Sequence, residues 1–406
     1  MPKLMGKELI ELINSRKKII IDPGKNTVKI FLMLNGQIKC IAHFPSLSEL
    51  TWKFKNEPIS NQYQISFQWE GKNRNRVVGA GLSSDQSMNT EPTKNNEHHM
   101  ACIHTAIHKH VRDGEEVDVI VGYPSSYYKN DSMRLDYYSK IMGEELGRHT
   151  VTVNGQEKTY TIKELKVYKE GYGYIPRLKY RQAAAKDAEL HAEPEAFHVL
   201  DFGGENINYH RVTARGEFLE SYSLDEAGVN HLFKMYRKEM AENLEDKNYD
   251  LNNIDWTACL KTKKIRGISE LDGIGSTKQF IEDVGTIFLD KQFTRLQNDV
   301  GFNVKKKGDK IVFLGGGSLT LQELLTNYLE SNSENILFSD HPLWDNCFSY
   351  AILYYMDIKA KHPSDKELGR EVNKILKDIL KQGTSAKFEE KRLSANQEDI
   401  VGSILE

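Results

Sequence analysis

One short arrangement occurs twice in this chain, and it limits the fold more than any other feature. An apolar run ends in an aspartate and a glycine turn, and a second run then returns beside the first. The first copy is Ile19-Ile20-Ile21-Asp22-Pro23-Gly24 followed by Val28 to Leu34; the second is Val199-Leu200-Asp201-Phe202-Gly203-Gly204 followed by Ile207, Tyr209 and Val212. In the first copy Asn35-Gly36 precedes the alternation of Ile38, Cys40, Ala42 and Phe44, and Asn-Gly between two such runs marks a tight hairpin. In the second, Arg215-Gly216 precedes Phe218-Leu219. The copies stand about 180 residues apart, which points to two similar lobes in one chain. A length of 406 residues, too long for one ordinary core, agrees with that.

The intervening sequence fills out an α/β plan. Val117 to Pro124 is almost continuously apolar and stops at Gly and Pro, which predicts a buried parallel strand in the first sheet. Arg181 to Phe197 predicts a helix crossing between the lobes, and the charged stretch from about 225 to 310 a mostly helical insertion. A third strand and glycine turn, Ile311 to Ser318, lead into a helix from Thr320 to Leu329. Beyond Lys359 the spacing of Leu368, Val372, Ile375, Leu376 and Ile379 predicts an amphipathic helix that Gly383 stops, with the last twenty residues a loosely held tail. At the other end Leu4, Leu9, Leu12 and Ile13 predict a short amphipathic helix packed on the protein's own surface. The expected division is an N-terminal extension (1–18), a first lobe (19–190) with an inserted subdomain at about 45–100, a second lobe (191–340) with its insertion at about 225–310, and a return to the first lobe with a charged helix and tail (341–406).

With 55 Lys+Arg against 58 Asp+Glu the formal charge is -3, so the whole chain exerts no electrostatic pull on nucleic acid or an anionic membrane. Neither direct nucleic-acid binding nor a membrane role is expected. Cys40, Cys102, Cys259 and Cys347 are widely spaced and form no Cys-x-x-Cys pair, which predicts buried thiols in a reducing compartment. No apolar run approaches the roughly 20 residues that cross a bilayer, and the expected location is the cytoplasm.

The chemistry follows from the repeated turns. Two strand-terminal Asp-x-Gly turns facing one cleft can hold a polyphosphate, because glycine lets backbone N–H groups approach the oxygens while each aspartate orients magnesium or its waters. Gly24-Lys25-Asn26-Thr27 lacks the upstream glycine and adjacent hydroxyl of a P-loop. His98, His99, His104, His108 and His110 crowd one predicted helix; without a His-Glu-x-x-His pattern they read as a polar helix face rather than a metal site.

Taken together, these turns resemble the actin-like ATPases, and most closely the ParM-type actins that segregate bacterial plasmids. The first phosphate turn is Asp22 to Lys29, the second Asp201 to Ile207, and the adenosine turn Gly315 to Ser318. The run from Val151-Thr152-Val153-Asn154-Gly155 through Tyr160-Thr161-Ile162-Lys163 to Val167-Tyr168-Lys169-Glu170-Gly171 is similar to the ParM hairpin and strand that carry the catalytic glutamate. Val121-Gly122-Tyr123-Pro124 with Tyr127-Tyr128 resembles a ParM strand end. The resemblance implies a two-lobed, duplicated ribonuclease H-like fold with nucleotide in the cleft between lobes and a subdomain inserted in each. It implies that Glu170 positions the attacking water and that Asp22 and Asp201 arrange magnesium through water. Gly24, Lys25, Asn26, Thr27 and Lys29, then Gly203, Gly204, Glu205 and Asn206, would hold the phosphates, and Gly315, Gly316, Gly317 and Ser318 would pass beneath the adenosine.

Two positions depart from the family. Lys25 stands where a small hydroxyl residue is usual, and Glu205 and Asn206 stand where Thr or Ser is usual; a Lys25–Glu205 pair responsive to the terminal phosphate is the expectation drawn from them. The implied function is slow hydrolysis of ATP, with GTP as the alternative, coupled to self-assembly into a filament that moves plasmid DNA through a DNA-binding adaptor. A small-molecule kinase of the same superfamily and a non-hydrolysing scaffold are the rival readings.

Overall fold

The computed structural model describes residues 6–51, 59–82, 93–171, 196–213, 218–244, 250–251, 254–268, 270–271, 275–303, 308–330, 335–383, 385 and 388. The expected crossing helix, the Arg215-Gly216 turn and the C-terminal tail lie largely or wholly outside these residues. The chain divides into two compact units, one of residues 1–181 with 344–406, the other of residues 182–343.

The first unit opens with helix α1 (Gly6–Ser15), strands β1 (Lys17–Pro23), β2 (Thr27–Leu34), β3 (Gln37–Pro45), β4 (Ser48–Leu50), β5 (Gln62–Trp69) and β6 (Lys72–Gly79), then helix α2 (Glu97–His110). Strand β7 (Glu115–Tyr123), helix α3 (Asp131–Met142) and strands β8 (Arg148–Val153) and β9 (Gln156–Lys169) follow. All nine strands form one sheet in the order β3-β2-β1-β7-β9-β8-β5-β6-β4. Residues 45–100 therefore supply strands that widen this sheet on the far side of β8. At its centre β1 runs antiparallel to β2 and parallel to β7, and every residue of β1 is buried. Alternation explains the continuous apolar run: Ile19 and Ile21 join the core under α2 with Met100, Ile103 and Ile107, while Phe31 of β2 meets Phe348 at 4.9 Å between ring centroids. A strand covered on both faces needs apolar residues at every position.

The second unit repeats this centre. Strands β10 (Ala196–Phe202), β11 (Ile207–Thr213) and β12 (Phe218–Leu224) form the meander, followed by helices α4 (Val229–Asn243) and α5 (Trp256–Thr262), the short pair β13 (Glu270–Leu271) and β14 (Gly275–Ser276), and helix α6 (Thr277–Val300). Strand β15 (Lys310–Leu314) runs straight into helix α7 (Gly315–Tyr328), and β16 (Ile336–Phe338) completes a five-stranded sheet of order β12-β11-β10-β15-β16. As with β1, the central β10 is antiparallel to its hairpin partner and parallel to the strand on its other side. The match extends to register: Asp22 lies across from Lys29, and Asp201 lies across from Asn208. The duplication read from the sequence is thus one topology that occurs once in each unit.

The chain returns to the first unit in helices α8 (Asp345–Lys361) and α9 (Lys366–Gln382), the latter closed by Gly383 as its spacing predicts. Helix α8 packs closely on β1 and β7: a Cβ at Gly122 would lie 2.0 Å from the Tyr350 hydroxyl, so the buried Tyr350 ring would have to shift. Helix α1 packs on α9, its first amide donating to Asp365 Oδ2 at 2.6 Å while Tyr355 donates to Asn14 Oδ1 at 2.8 Å. The amphipathic N-terminal helix thus covers its own protein, as its spacing implies. Among the described residues no helix is long and apolar enough to cross a membrane.

Candidate active site

In the first unit the end of β1 places Asp22 in the interior, 1% exposed, with Lys29 Nζ on its Oδ2 at 2.7 Å. The cross-strand register makes this contact, since directly opposed residues on an antiparallel pair are nearest neighbours. Burial alone pushes the Asp22 carboxyl up; the charges of Lys29 and Lys94, with hydrogen bonds from Lys29 and Asn346, outweigh it and hold the group below the usual carboxylate range. Gly24 then lets the chain double back, its amide donating to Asp22 O at 2.9 Å. A Cβ at Gly24 would lie 2.8 Å from Thr27 O and 3.1 Å from Lys29 Nζ. Lys25 and Thr27 are half-buried and Asn26 is exposed, its carbonyl accepting from Ser46 N at 2.9 Å.

Glu170 follows directly on β9, and its backbone is pinned from both sides. Its amide donates to Tyr123 O at 3.2 Å, and its carbonyl accepts from Ser125 Oγ at 2.9 Å. Asn346, in the first turn of α8, ties this segment to the aspartate turn: its Oδ1 accepts from Gly171 N at 3.0 Å, and its Nδ2 donates to Asp22 Oδ2 at 3.4 Å. Lys94 donates to Glu170 Oε1, with both side chains at most one-tenth exposed. The first unit therefore assembles Asp22, Lys29 and Glu170 with two residues that sequence reasoning missed, Lys94 and Asn346. No local pattern marks either: Lys94 lies in a polar stretch that reads as loop, and Asn346 is 324 residues from the aspartate it contacts.

The second unit builds its site on the joint between β10 and two helix starts. The turn after Asp201 is laced to the beginning of α4: Val229 N donates to Gly203 O at 3.1 Å, Asn230 N to Gly204 O at 2.8 Å, and Ala227 and Gly228 N both to Glu205 O at 3.0 Å. Asn230 Nδ2 also donates to the Glu205 carboxylate at 2.7 Å, and Asn206 Nδ2 donates to Asn208 Oδ1 at 3.3 Å. Gly315, Gly316 and Gly317 are the first turn of α7 rather than a loop ahead of a helix at Thr320, so the glycine turn and the helix begin together. Gly315 sits at φ +80°, where a Cβ would come within 2.2 Å of Asp201 Oδ1; one at Gly317 would lie 2.6 Å from Phe202 O. Ser318 Oγ donates back to Gly315 O at 2.8 Å. The first turn of α7 has no side-chain cap, and such a terminus directs its backbone N–H groups and partial positive charge at whatever approaches it.

Each unit thus offers one buried or nearly buried aspartate beside a glycine turn. Both are hard oxygen donors, the chemistry magnesium prefers. Among the described residues no group of three or more His, Cys, Asp and Glu side chains is placed to hold a metal. The α2 histidines do not form a polar outer face. His98, His99, His104, His108 and His110 are all buried; His104 Nδ1 lies 2.8 Å from Tyr160 Oη, and His108 Nε2 lies 2.9 Å from Gln156 O. Neutral imidazole with a satisfied nitrogen packs as an aromatic residue does, and this corrects the expectation from sequence.

Residues 21–173 match the family model described as the actin-like proteins' N-terminal domain. That span opens one residue before Asp22 and closes three after Glu170. Over that span the sequence is similar to an actin-like N-terminal domain. The actin-like fold extends across both units. A chain of a 15-stranded ParM filament from Clostridium botulinum superposes with a TM-score of 0.63 at 16% identity, covering 84% of this chain and 99% of that one. The actin-like protein Alp7A superposes with a TM-score of 0.59 at 15% identity, covering 86% and 98%. An archaeal actin homologue in complex with ADP gives a TM-score of 0.56 at 15% identity, covering 82% and 97%. No curated protein matches the chain by sequence. The resemblance to ParM-type actins and the duplicated, two-lobed α/β class expected from the sequence are both borne out.

Proposed function

We propose that this actin-like chain binds and hydrolyses a nucleoside triphosphate, ATP or GTP, with magnesium, and that nucleotide controls its assembly into filaments. The observation that carries the reading is the paired architecture: two central strands of the same topology, each ending in Asp-x-Gly at the same register. The similarity to a ParM filament and to an actin homologue holding ADP supports it. The Asp22 turn with Lys25 and Lys29 takes the terminal phosphates, and the Asp201 turn with the first turn of α7 takes the rest of the nucleotide. Asp22 and Asp201 would hold magnesium through water, and the ion would supply charge neutralisation at the phosphates. Glu170 orients a water whose oxygen attacks the terminal phosphorus as the bond to the bridging oxygen breaks, leaving nucleoside diphosphate and inorganic phosphate, with the water's proton passing by way of Glu170 to solvent. Positioning and charge stabilisation are what phosphoryl transfer asks of a protein. Lys25–Glu205 pairing, plasmid DNA segregation through an adaptor and a cytoplasmic location complete the proposal.

Light scattering and electron micrographs with ATP and magnesium test it. Assembly is expected to depend on nucleotide, and Glu170→Gln is expected to assemble while hydrolysis falls by about 100-fold or more, the range for loss of a general base. Protein that stays monomeric and transfers the terminal phosphate of ATP to an added small-molecule acceptor would instead establish a kinase.

A further inference from the structure

Of the two residues that the sequence motifs leave unassigned at this site, Lys94 and Asn346, Lys94 carries a charge. Its ammonium donates to Glu170 Oε1, and it is 3% exposed. It is also close enough to Asp22 to pull that carboxyl down. Both ends of the Lys94–Glu170 contact start from fixed backbone. On the lysine side, Asn95 Nδ2 donates to Met133 O at 2.8 Å, Asn95 Oδ1 accepts from Tyr123 Oη at 2.8 Å, and Asn95 O accepts from Lys140 Nζ at 3.0 Å. Asn96 then caps α2, accepting from His99 N at 3.0 Å. On the other side, Tyr123, Ser125 and Asn346 hold the Glu170 segment. The long lysine stem has more side-chain torsions than the glutamate with which to change partner.

We propose that Lys94 is a terminal-phosphate sensor: the Glu170 carboxylate and a terminal phosphate beside Asp22 compete for its ammonium, and a bound phosphate draws it from Glu170 so that the carboxylate is freed for water. This rests on the nucleotide reading above and names the group through which that site distinguishes triphosphate from diphosphate. A carboxylate oxygen already accepting from an ammonium has that lone pair engaged and is a poorer partner for water. A phosphate monoanion or dianion beside Asp22 competes for the same cation with more charge and more acceptor oxygens. Removing the third phosphate returns Lys94 to Glu170. A buried ion pair kept only for structure would show no such preference, since nothing about it depends on which nucleotide is bound.

The test is titration calorimetry with magnesium and either β,γ-imido-ATP or ADP. Lys94→Met is expected to weaken the imido analogue at least about tenfold while ADP affinity changes by less than about threefold, because a lost charge-assisted phosphate contact is worth roughly a factor of ten or more. Glu170→Gln, which removes the competing carboxylate, is expected to tighten the imido analogue and leave ADP unchanged. The double variant K94M/E170Q leaves no unpaired buried charge, so it guards against misfolding of the single one, and it should lose that tightening. Equal changes for the two nucleotides, or none, would overturn the sensor while leaving nucleotide binding intact. Wild-type protein that binds neither would overturn the nucleotide reading and the sensor with it.

Discussion

Acidification from neutral pH to about pH 4 is expected to unfold the first unit, and the cause is the histidine-rich helix α2 together with His149 on β8. Burial pushes His98, His108 and His149 down to about 4 and His110 to about 3, and it holds His99 and His104 well below their ordinary value of 6.5. Neighbouring cations deepen several of these shifts: Arg76 beside His98, Lys94 and Lys25 near His99, Lys158 and Lys109 near His108, and Lys109, Lys17 and Lys158 around His110. A base with a depressed folded pKa stays neutral in the fold but takes a proton when unfolded. Its contribution is complete above about pH 6.5 and is lost as pH falls toward 4. Each of the buried His98 and His110 then costs roughly 3 kcal/mol and the half-buried His149 less, and together they reach into the 5–15 kcal/mol total stability of an ordinary domain. Asp118, whose carboxyl burial raises, opposes this as a single group; Asp22, held low, reinforces it at the acid end. Urea midpoints measured between about pH 7.5 and pH 4.5 should fall steeply below about pH 6.5. A flat profile would mean that these rings are not held neutral in the core.

Gly315→Ala is expected to lower nucleotide affinity by about two orders of magnitude while the protein remains folded. Two effects coincide at this position. A positive φ costs an alanine roughly 1–2 kcal/mol, and its Cβ would lie 2.2 Å from Asp201 Oδ1 and 2.5 Å from Phe202 O. The carbonyl belongs to a central strand and cannot yield, so the carboxylate must turn away or the first turn of α7 must lift. Either movement removes a proposed ligand. Gly316→Ala serves as the control, because the nearest atom to its Cβ is the end of the Leu343 side chain at 3.5 Å. If the two alanine variants bind nucleotide alike, the close approach of α7 to Asp201 has no part in the site.

The sequence revealed the features that local pattern encodes. The Asp-x-Gly hairpins were legible because a turn that needs glycine and a run that needs apolar residues on both faces leave adjacent marks. Helix α9 was legible to its Gly383 stop because its apolar spacing is regular. The start of α7 was placed five residues late, since three glycines read as loop; contact with Phe202 O and Gly203 O, which admits no side chain at Gly317, overrides their poor helix propensity. The α2 histidines misled because a ring that can be charged in water can also be buried neutral beside Tyr160. Lys94 and Asn346 left no trace, as their importance comes from contacts with Glu170 and Asp22 far along the chain.

Nucleotide stoichiometry with each aspartate removed in turn tests the account most directly. Calorimetric titration of ATP with magnesium should give one nucleotide per wild-type chain, and Asp22→Ala and Asp201→Ala should each weaken that single event severely. Two independent binding events, or a binding event that survives loss of either aspartate unchanged, would contradict the proposed roles of Asp22 and Asp201.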